Sequence, residues 1–174
     1  MKQIQALAIL KTGANVFLTG EPGSGKTHVV NAYIQYLRDL GIKPAITAST
    51  GIAATHIGGM TIHAWSGIGI KEQLTKQDLA RIITNKRITS RIKRARVLII
   101  EEVSMLSPPT VEMIDLVCRK VRENEKSFGG MQVVFVGDFF QLPPVVKMEV
   151  GKQNKLMEKI EGRLAYDSTS WSEA

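Results

Sequence analysis

The chain has 174 residues, 44% of them hydrophobic and 22% charged, and a net charge of +7. That is the size and make-up of a globular domain with a substantial core, not of a disordered or fibrous chain. No apolar run approaches the ~20 residues of a membrane span, Met1-Lys2-Gln3-Ile4-Gln5 lacks the apolar stretch of a signal peptide, and the single cysteine, Cys118, excludes an internal disulfide framework. These features suit the cytoplasm or nucleoid of a prokaryote, or the nucleus or mitochondrion of a eukaryote. The positive charge is compatible with a nucleic-acid partner without establishing one.

Ile4, Leu7 and Leu10 recur at helical spacing, so residues 3–12 read as a short helix stopped by Gly13. Residues 15–19, Asn-Val-Phe-Leu-Thr, read as a strand. The next helix spans about 25–40, with Val29, Val30, Tyr33, Ile34 and Leu37 as its buried stripe and Gly41 as its stop. Residues 44–48, Pro-Ala-Ile-Thr-Ala, form a second strand. Strand, helix and strand over some thirty residues make a βαβ unit, hence a parallel sheet.

Between the first strand and its helix stands Gly20-Glu21-Pro22-Gly23-Ser24-Gly25-Lys26-Thr27, a full match to G-x-x-x-x-G-K-[ST]. Gly20, Gly23 and Gly25 let the backbone turn sharply and approach a ligand closely. Freed N–H groups at the positive end of a helix then face phosphate oxygens. Lys26 is placed for the β- and γ-phosphates and the Thr27 hydroxyl for Mg²⁺. The bland alternative is a glycine-rich turn before a helix.

Residues 49–69 are rich in glycine, serine and threonine. Thr50 can cap a short helix through Ala53 and Ala54, and the remainder reads as an ordered loop. It presents hydroxyls, His56, His63 and Trp65 past a strand's C-terminal end, where ligands of open α/β sheets sit. Such a segment can hold a single nucleic-acid strand, with an aromatic ring stacking a base. Equally, Trp65 can be core and the histidines ordinary polar residues. Residues 76–96 carry eight cations on two short helical patterns, a solvated face or a nucleic-acid groove.

Val97-Leu98-Ile99-Ile100 reads as a strand buried on both faces, followed at once by Glu101 and Glu102. Carboxylates there are costly unless paired or near a metal. The position suits one on the Mg²⁺ shell and one orienting a water. A helix runs from Ser107-Pro108-Pro109 to about 125, with Val111, Ile114, Leu116 or Val117, and Val121 inside and Cys118 as a packed thiol. A turn at 128–130 leads to a buried strand at 132–136, then to Gly137-Asp138-Phe139-Phe140-Gln141-Leu142-Pro143-Pro144-Val145. Gln141, past a strand end, can sense a γ-phosphate or its attacking water, or can belong to a structural turn. Residues 147–163 are lysine-rich and weakly patterned. Ser170 and Glu173 have capping-box spacing, announcing a helix that one turn cannot sustain alone, as if a further segment followed.

With these residues in place, the chain resembles the first RecA-like domain of the Pif/RecD-like DNA helicases of superfamily 1B, and the Pif branch in particular. The likeness spans nearly the whole chain. Residues 20–27 resemble that family's motif I, residues 47–54 and 59–69 its single-strand-contacting motifs, Glu101-Glu102-Val103-Ser104-Met105-Leu106 its motif II and residues 137–145 its motif III. The resemblance implies an α/β P-loop NTPase fold with a RecA-like, mostly parallel sheet. It implies ATP and Mg²⁺ as cofactors, Gln3 as an adenine reader, and nucleotide contacts from Gln3, Gly20, Gly23, Ser24, Gly25, Lys26, Thr27 and His28. Lys26, Glu102 and Gln141 take the catalytic roles, Thr27 and Glu101 the metal, and Thr50, Gly51, His63 and Trp65 the DNA. Residues 147–163 correspond to a short wedge insertion. Partners are single-stranded DNA, DNA junctions and a second RecA-like domain with arginine fingers, which these 174 residues do not include. The expectation is a monomer without membrane contact, and translocation from five-prime to three-prime.

Two departures stand out. Glu101 replaces the family's usual aspartate and is one methylene longer, where Mg²⁺ demands a near-ideal octahedron. Trp65 replaces a more usual phenylalanine. The functional expectation is the ATP-binding, strand-tracking domain of an ATP-dependent DNA helicase, weakly active as an isolated domain. The alternatives are a non-catalytic nucleotide- or DNA-binding P-loop module with impaired hydrolysis, and a P-loop ATPase that acts on no nucleic acid.

Overall fold

The computed structural model describes residues 1–140 and 164–174. Its strands are β1 (Val16–Leu18), β2 (Ala45–Ala48), β3 (Met60–Thr61), β4 (Val97–Glu101) and β5 (Gln132–Val136). They form an all-parallel sheet in the order β1-β5-β4-β2-β3. Every residue of β4 is buried, as a continuous apolar run between two strands requires. It pairs on one side with β2, Ala45 opposite Leu98, and on the other with β5, Leu98 opposite Val133.

Alternation along β4 divides the core. Val97 and Ile99 face helices α1 (Gln3–Leu10) and α2 (Lys26–Asp39), with Val134 and Val136 from β5. The buried stripe of α2 is Val29, Val30, Tyr33, Ile34 and Leu37, as its spacing requires. Leu98 and Ile100 face the other layer, built on α4 (Ile62–Ser66), α5 (Lys76–Thr84), α6 (Lys86–Arg94) and α7 (Pro108–Arg122). Asn85 caps α6 by accepting from the N–H groups of Arg87 and Ile88 at 3.0 and 3.3 Å. In α7, Val117 rather than Leu116 takes the inner position, and Cys118 is buried with its thiol pKa raised chiefly by that burial. No helix among the described residues is long and apolar enough to cross a membrane.

Three expectations change. In α1 the buried residues are Ala6 and Leu10, and Ile4 is 75% exposed; the short helix meets α2 along an i, i+4 line, so Ile4 falls outside the contact. Residues 49–69 are not mainly loop. Thr50 caps α3 (Gly51–His56), accepting from Ala53 N–H at 3.2 Å, β3 follows, and Thr61 caps α4 through Ala64 N–H at 3.2 Å. Gly59 is required at the entry to β3, because a Cβ there would stand 2.3 Å from the Ile46 carbonyl oxygen. The third change lies at α8 (Thr169–Ser172), where the cap is Ser168, accepting from Trp171 N–H at 3.2 Å. Ser170 instead donates to Asp115 Oδ2 at 2.9 Å, and Glu173 pairs with Arg119 at 2.6 Å.

These contacts let a single helical turn stand. Asp115, buried on α7, accepts from Arg119 Nε at 2.8 Å, Phe128 N–H at 2.6 Å and Ser170. The Trp171 ring stacks on Phe135 at 4.1 Å and meets Phe17 at 5.2 Å and Phe139 at 5.9 Å. Tertiary packing thus replaces helix length. The 147–163 segment, expected as a wedge insertion, lies outside the described residues, as does Gln141.

Asp115→Ala leaves the buried Phe128 N–H and the Ser170 hydroxyl without their acceptor, while the part-exposed Arg119 keeps Glu173 and the Glu125 carbonyl. The expected cost is about 2 kcal/mol, read as a lower urea midpoint by circular dichroism. An unchanged midpoint contradicts the account of α8.

Candidate nucleotide site

The all-parallel sheet brings the ends of its strands to one edge. Residues 20–25 follow β1, Ser49 and Thr50 follow β2, Glu101 ends β4, and Gly137 and Asp138 follow β5. In the loop after β1, Gly23 and Gly25 have φ of +77° and +88°, a region costly for residues with a Cβ. Gly25 is the N-cap of α2, so the helix opens with Lys26 and Thr27 at its positive end. Lys26 Nζ donates to the carbonyl oxygens of Gly20 and Glu21, the latter at 3.2 Å. Its charge is held over the loop. Thr27, Ser24 and His28 are exposed there.

Gln3 joins this loop from the start of α1. Its Nε2 donates to the Ser24 carbonyl at 3.2 Å, and a Cβ on residue 25 would stand 2.1 Å from that nitrogen. Gly25 therefore serves twice, through its backbone angle and through the space it leaves.

Glu101 is 7% exposed, and its Oε1 is buried without a hydrogen-bond partner. Burial first, and the charge of Glu102 second, push its carboxyl up to about 7, while the Lys26 ammonium pulls the other way. Glu102, next in line, has φ +54° and turns the chain off the strand. Left empty, the site favours the protonated carboxyl; a bound cation would favour the charged form, and the unpartnered Oε1 is the atom that could meet it. Glu101 and Thr27 are both oxygen donors, the set a hard ion prefers. No group of three or more His, Cys, Asp or Glu with metal-binding geometry occurs among the described residues. An ion held by Thr27 and Glu101 would need further ligands from outside the protein.

Ser49 carries no mark in the sequence beyond its place in a hydroxyl-rich run. Its N–H donates to the Glu101 carbonyl at 3.0 Å, and its hydroxyl is buried without a partner. Asp138 is buried, and its Oδ1 accepts from Phe140 N–H at 3.0 Å.

The residues expected to meet DNA divide. Thr50 and Gly51 open α3 past the end of β2, with Gly51 exposed. His63 is half-buried on α4, and burial lowers its pKa, favouring the neutral imidazole. Trp65 is a correction. At 4% exposure it packs with Ile62, Ile68 and Ile92 in the core, so its face is not open to a base. The five-residue helix turns Ile62 and Trp65, three apart, inward together.

Sheet order, glycine loop and strand-end carboxylate define a RecA-like P-loop NTPase fold. The comparisons are specific. A family model described as PIF1-like helicase matches residues 1–173, and the chain belongs to that family. It is 51% identical over 174 residues to the ATP-dependent DNA helicase Pif1 of Psychrobacter sp. (strain PRwf-1), covering 100% of this chain and 25% of that protein. To the ATP-dependent DNA helicase RRM3 of Saccharomyces cerevisiae it is 43% identical over 143 residues, covering 81% of this chain and 20% of that protein. The crystal structure of Pif1 helicase from Candida albicans superposes with a TM-score of 0.86 at 36% identity, covering 99% of this chain and 37% of that one. Pif1 helicase from Bacteroides in complex with ADP-AlF3 and single-stranded DNA gives 0.81 at 31% identity, covering 100% and 40%. The chain thus spans a quarter or less of these two curated relatives.

The raised Glu101 pKa has a sign. The folded chain binds this proton more tightly than the unfolded one, so its contribution to stability falls as pH rises from about 4.5 to about 7. Glu101→Gln is expected to flatten that part of the stability-versus-pH curve of the nucleotide-free chain, measured by urea melts. Parallel curves for the two proteins rule this out.

Proposed function

We propose that this chain is the ATP-binding and single-strand-tracking domain of an ATP-dependent DNA helicase, coupling hydrolysis to five-prime to three-prime movement. Family membership supports the reading, and one observation in the site carries it: the buried, unpartnered carboxylate of Glu101 within reach of the Lys26 charge. A simple nucleotide-binding module has no need of an acid at that point.

The roles follow from placement. Loop N–H groups and the α2 terminus hold the phosphates, Lys26 gives up its carbonyl partners to neutralise the β- and γ-phosphates, and Gln3 reads the adenine from beside Gly25. Thr27 and, through water, Glu101 would hold Mg²⁺, which would supply charge neutralisation for the phosphates. Glu102, turned off the strand, takes the proton of the attacking water as the γ-phosphorus bond to the bridging oxygen breaks. Gln141 senses the γ-phosphate. Thr50, Gly51 and His63 contact the DNA strand at the same sheet edge. A second RecA-like domain supplies the opposite wall and its arginine, a contribution of roughly 10³–10⁵ in rate. The isolated chain is therefore a weak ATPase and separates no strands.

Glu102→Gln is expected to lower the steady-state ATPase rate of the chain by at least 10²-fold while retaining nucleotide binding. A rate unchanged by the substitution would overturn the role given to Glu102. Glu101→Asp shortens the side chain by one methylene and is expected to lower the Mg²⁺ concentration for half-maximal ATP-analogue binding. Superimposable Mg²⁺ titrations of the two proteins would exclude the water-mediated role of Glu101.

A further inference from the structure

Lys43, Arg91 and Arg94 line a cavity of about 430 Å³ together with Pro44, Met60 and Trp65. It lies away from the nucleotide loop. Lys43 and Pro44 precede β2, Ala95 precedes β4, and Gly58 and Gly59 precede β3, so the cavity opens at the N-terminal edge of the parallel sheet. No acidic residue lines it. Among the described residues, none of its three cations forms an ion pair.

Arg91 is the telling member. One of its terminal nitrogens donates to the Ala64 carbonyl, and the other reaches only the Met60 sulfur at 3.8 Å. Its Nε is buried with no hydrogen-bond partner. A half-buried guanidinium with an unpaired N–H and no counter-charge is a binding group held short of its anion. Burial also lowers its pKa.

The chemistry of the walls narrows the ligand. A bare phosphate would leave Pro44, Met60 and the Trp65 edge uncovered. The ligand must join carboxylates to a large apolar side chain. A nucleic-acid strand could offer phosphates and a base, but Thr50 and Gly51, placed to meet DNA, follow the C-terminal end of β2, at the opposite edge of the sheet. Beside the cavity, β3 is the last strand of the sheet among the described residues, and an edge strand offers main-chain groups to a peptide.

We propose that this cavity docks an acidic peptide of a partner protein. An aromatic side chain seats against Pro44 and Met60, over the edge of Trp65, and flanking carboxylates are held by Lys43, Arg91 and Arg94. Buried aromatic anchors and charge-assisted bonds are what concentrate affinity in such sites. This docking is independent of hydrolysis and of the helicase reading.

The probe is a fluorescein-labelled peptide of aspartates around a single phenylalanine, titrated by fluorescence polarisation against the 174-residue chain. Saturable binding is expected. It should fall about tenfold or more in a Lys43→Gln, Arg94→Gln double variant, and equally when alanine replaces the peptide's phenylalanine. Oligothymidine binding and circular dichroism of the variant should stay as in the parent. Absence of saturable binding overturns the proposal. So does equal affinity for the peptide without phenylalanine. A variant that weakens oligothymidine binding more than peptide binding assigns the surface to nucleic acid and overturns it too.

Discussion

Burial of β4 on both faces is the constraint on which the rest depends. A strand in that position must find apolar cover above and below and a hydrogen-bonding neighbour on each side, and the chain supplies α1 and α2, the α4–α7 layer, β2 and β5. The same burial continues into Glu101, whose carboxylate ends the strand in a poorly solvated place. There, charges act over greater effective strength than at the surface. Lys26 is therefore felt at Glu101, although the two arrive from different strand ends. Core packing and site electrostatics are one arrangement.

A second support lies at the β1–β5 edge. Asp115 gathers Arg119, the Phe128 N–H and Ser170, so that one buried carboxylate ties α7, the turn at 127–130 and α8 together. Four rings, Phe17, Phe135, Phe139 and Trp171, close over that join. Phe139 follows Asp138 directly, so the packing that seats α8 also borders the segment leading from β5 to Gln141.

Much of this was legible in the sequence because each signal was local. The glycine loop has a fixed spacing, α2 has five inward residues at helical period, and β4 and β5 are unbroken apolar runs. Glu101 and Glu102 stood out because carboxylates directly after a buried strand are costly unless paired or near a metal. What escaped was decided by tertiary contact. β3 has two residues, too few for any period to register. Trp65 could be ligand or core until α4 fixed which of its sides faced Ile92. Ser168 and Ser170 both offered a hydroxyl at the start of α8, and only the buried Asp115 drew Ser170 away. Ser49 lost itself among neighbouring hydroxyls, since nothing in the sequence distinguishes a hydroxyl with a partner from one without. Ile4 sat on the right period in a helix too short to bury its whole stripe.

The aromatic join has an optical consequence. The chain has two tryptophans. Trp65 stands near the β2–β3 margin, beside the cationic cavity, and Trp171 stands near the β1–β5 margin, against Phe139. The protein thus holds two intrinsic fluorophores at opposite ends of one sheet. Light emitted from each carries news of a different region, one of the segment after β5 and the other of the far edge, without any label having been added.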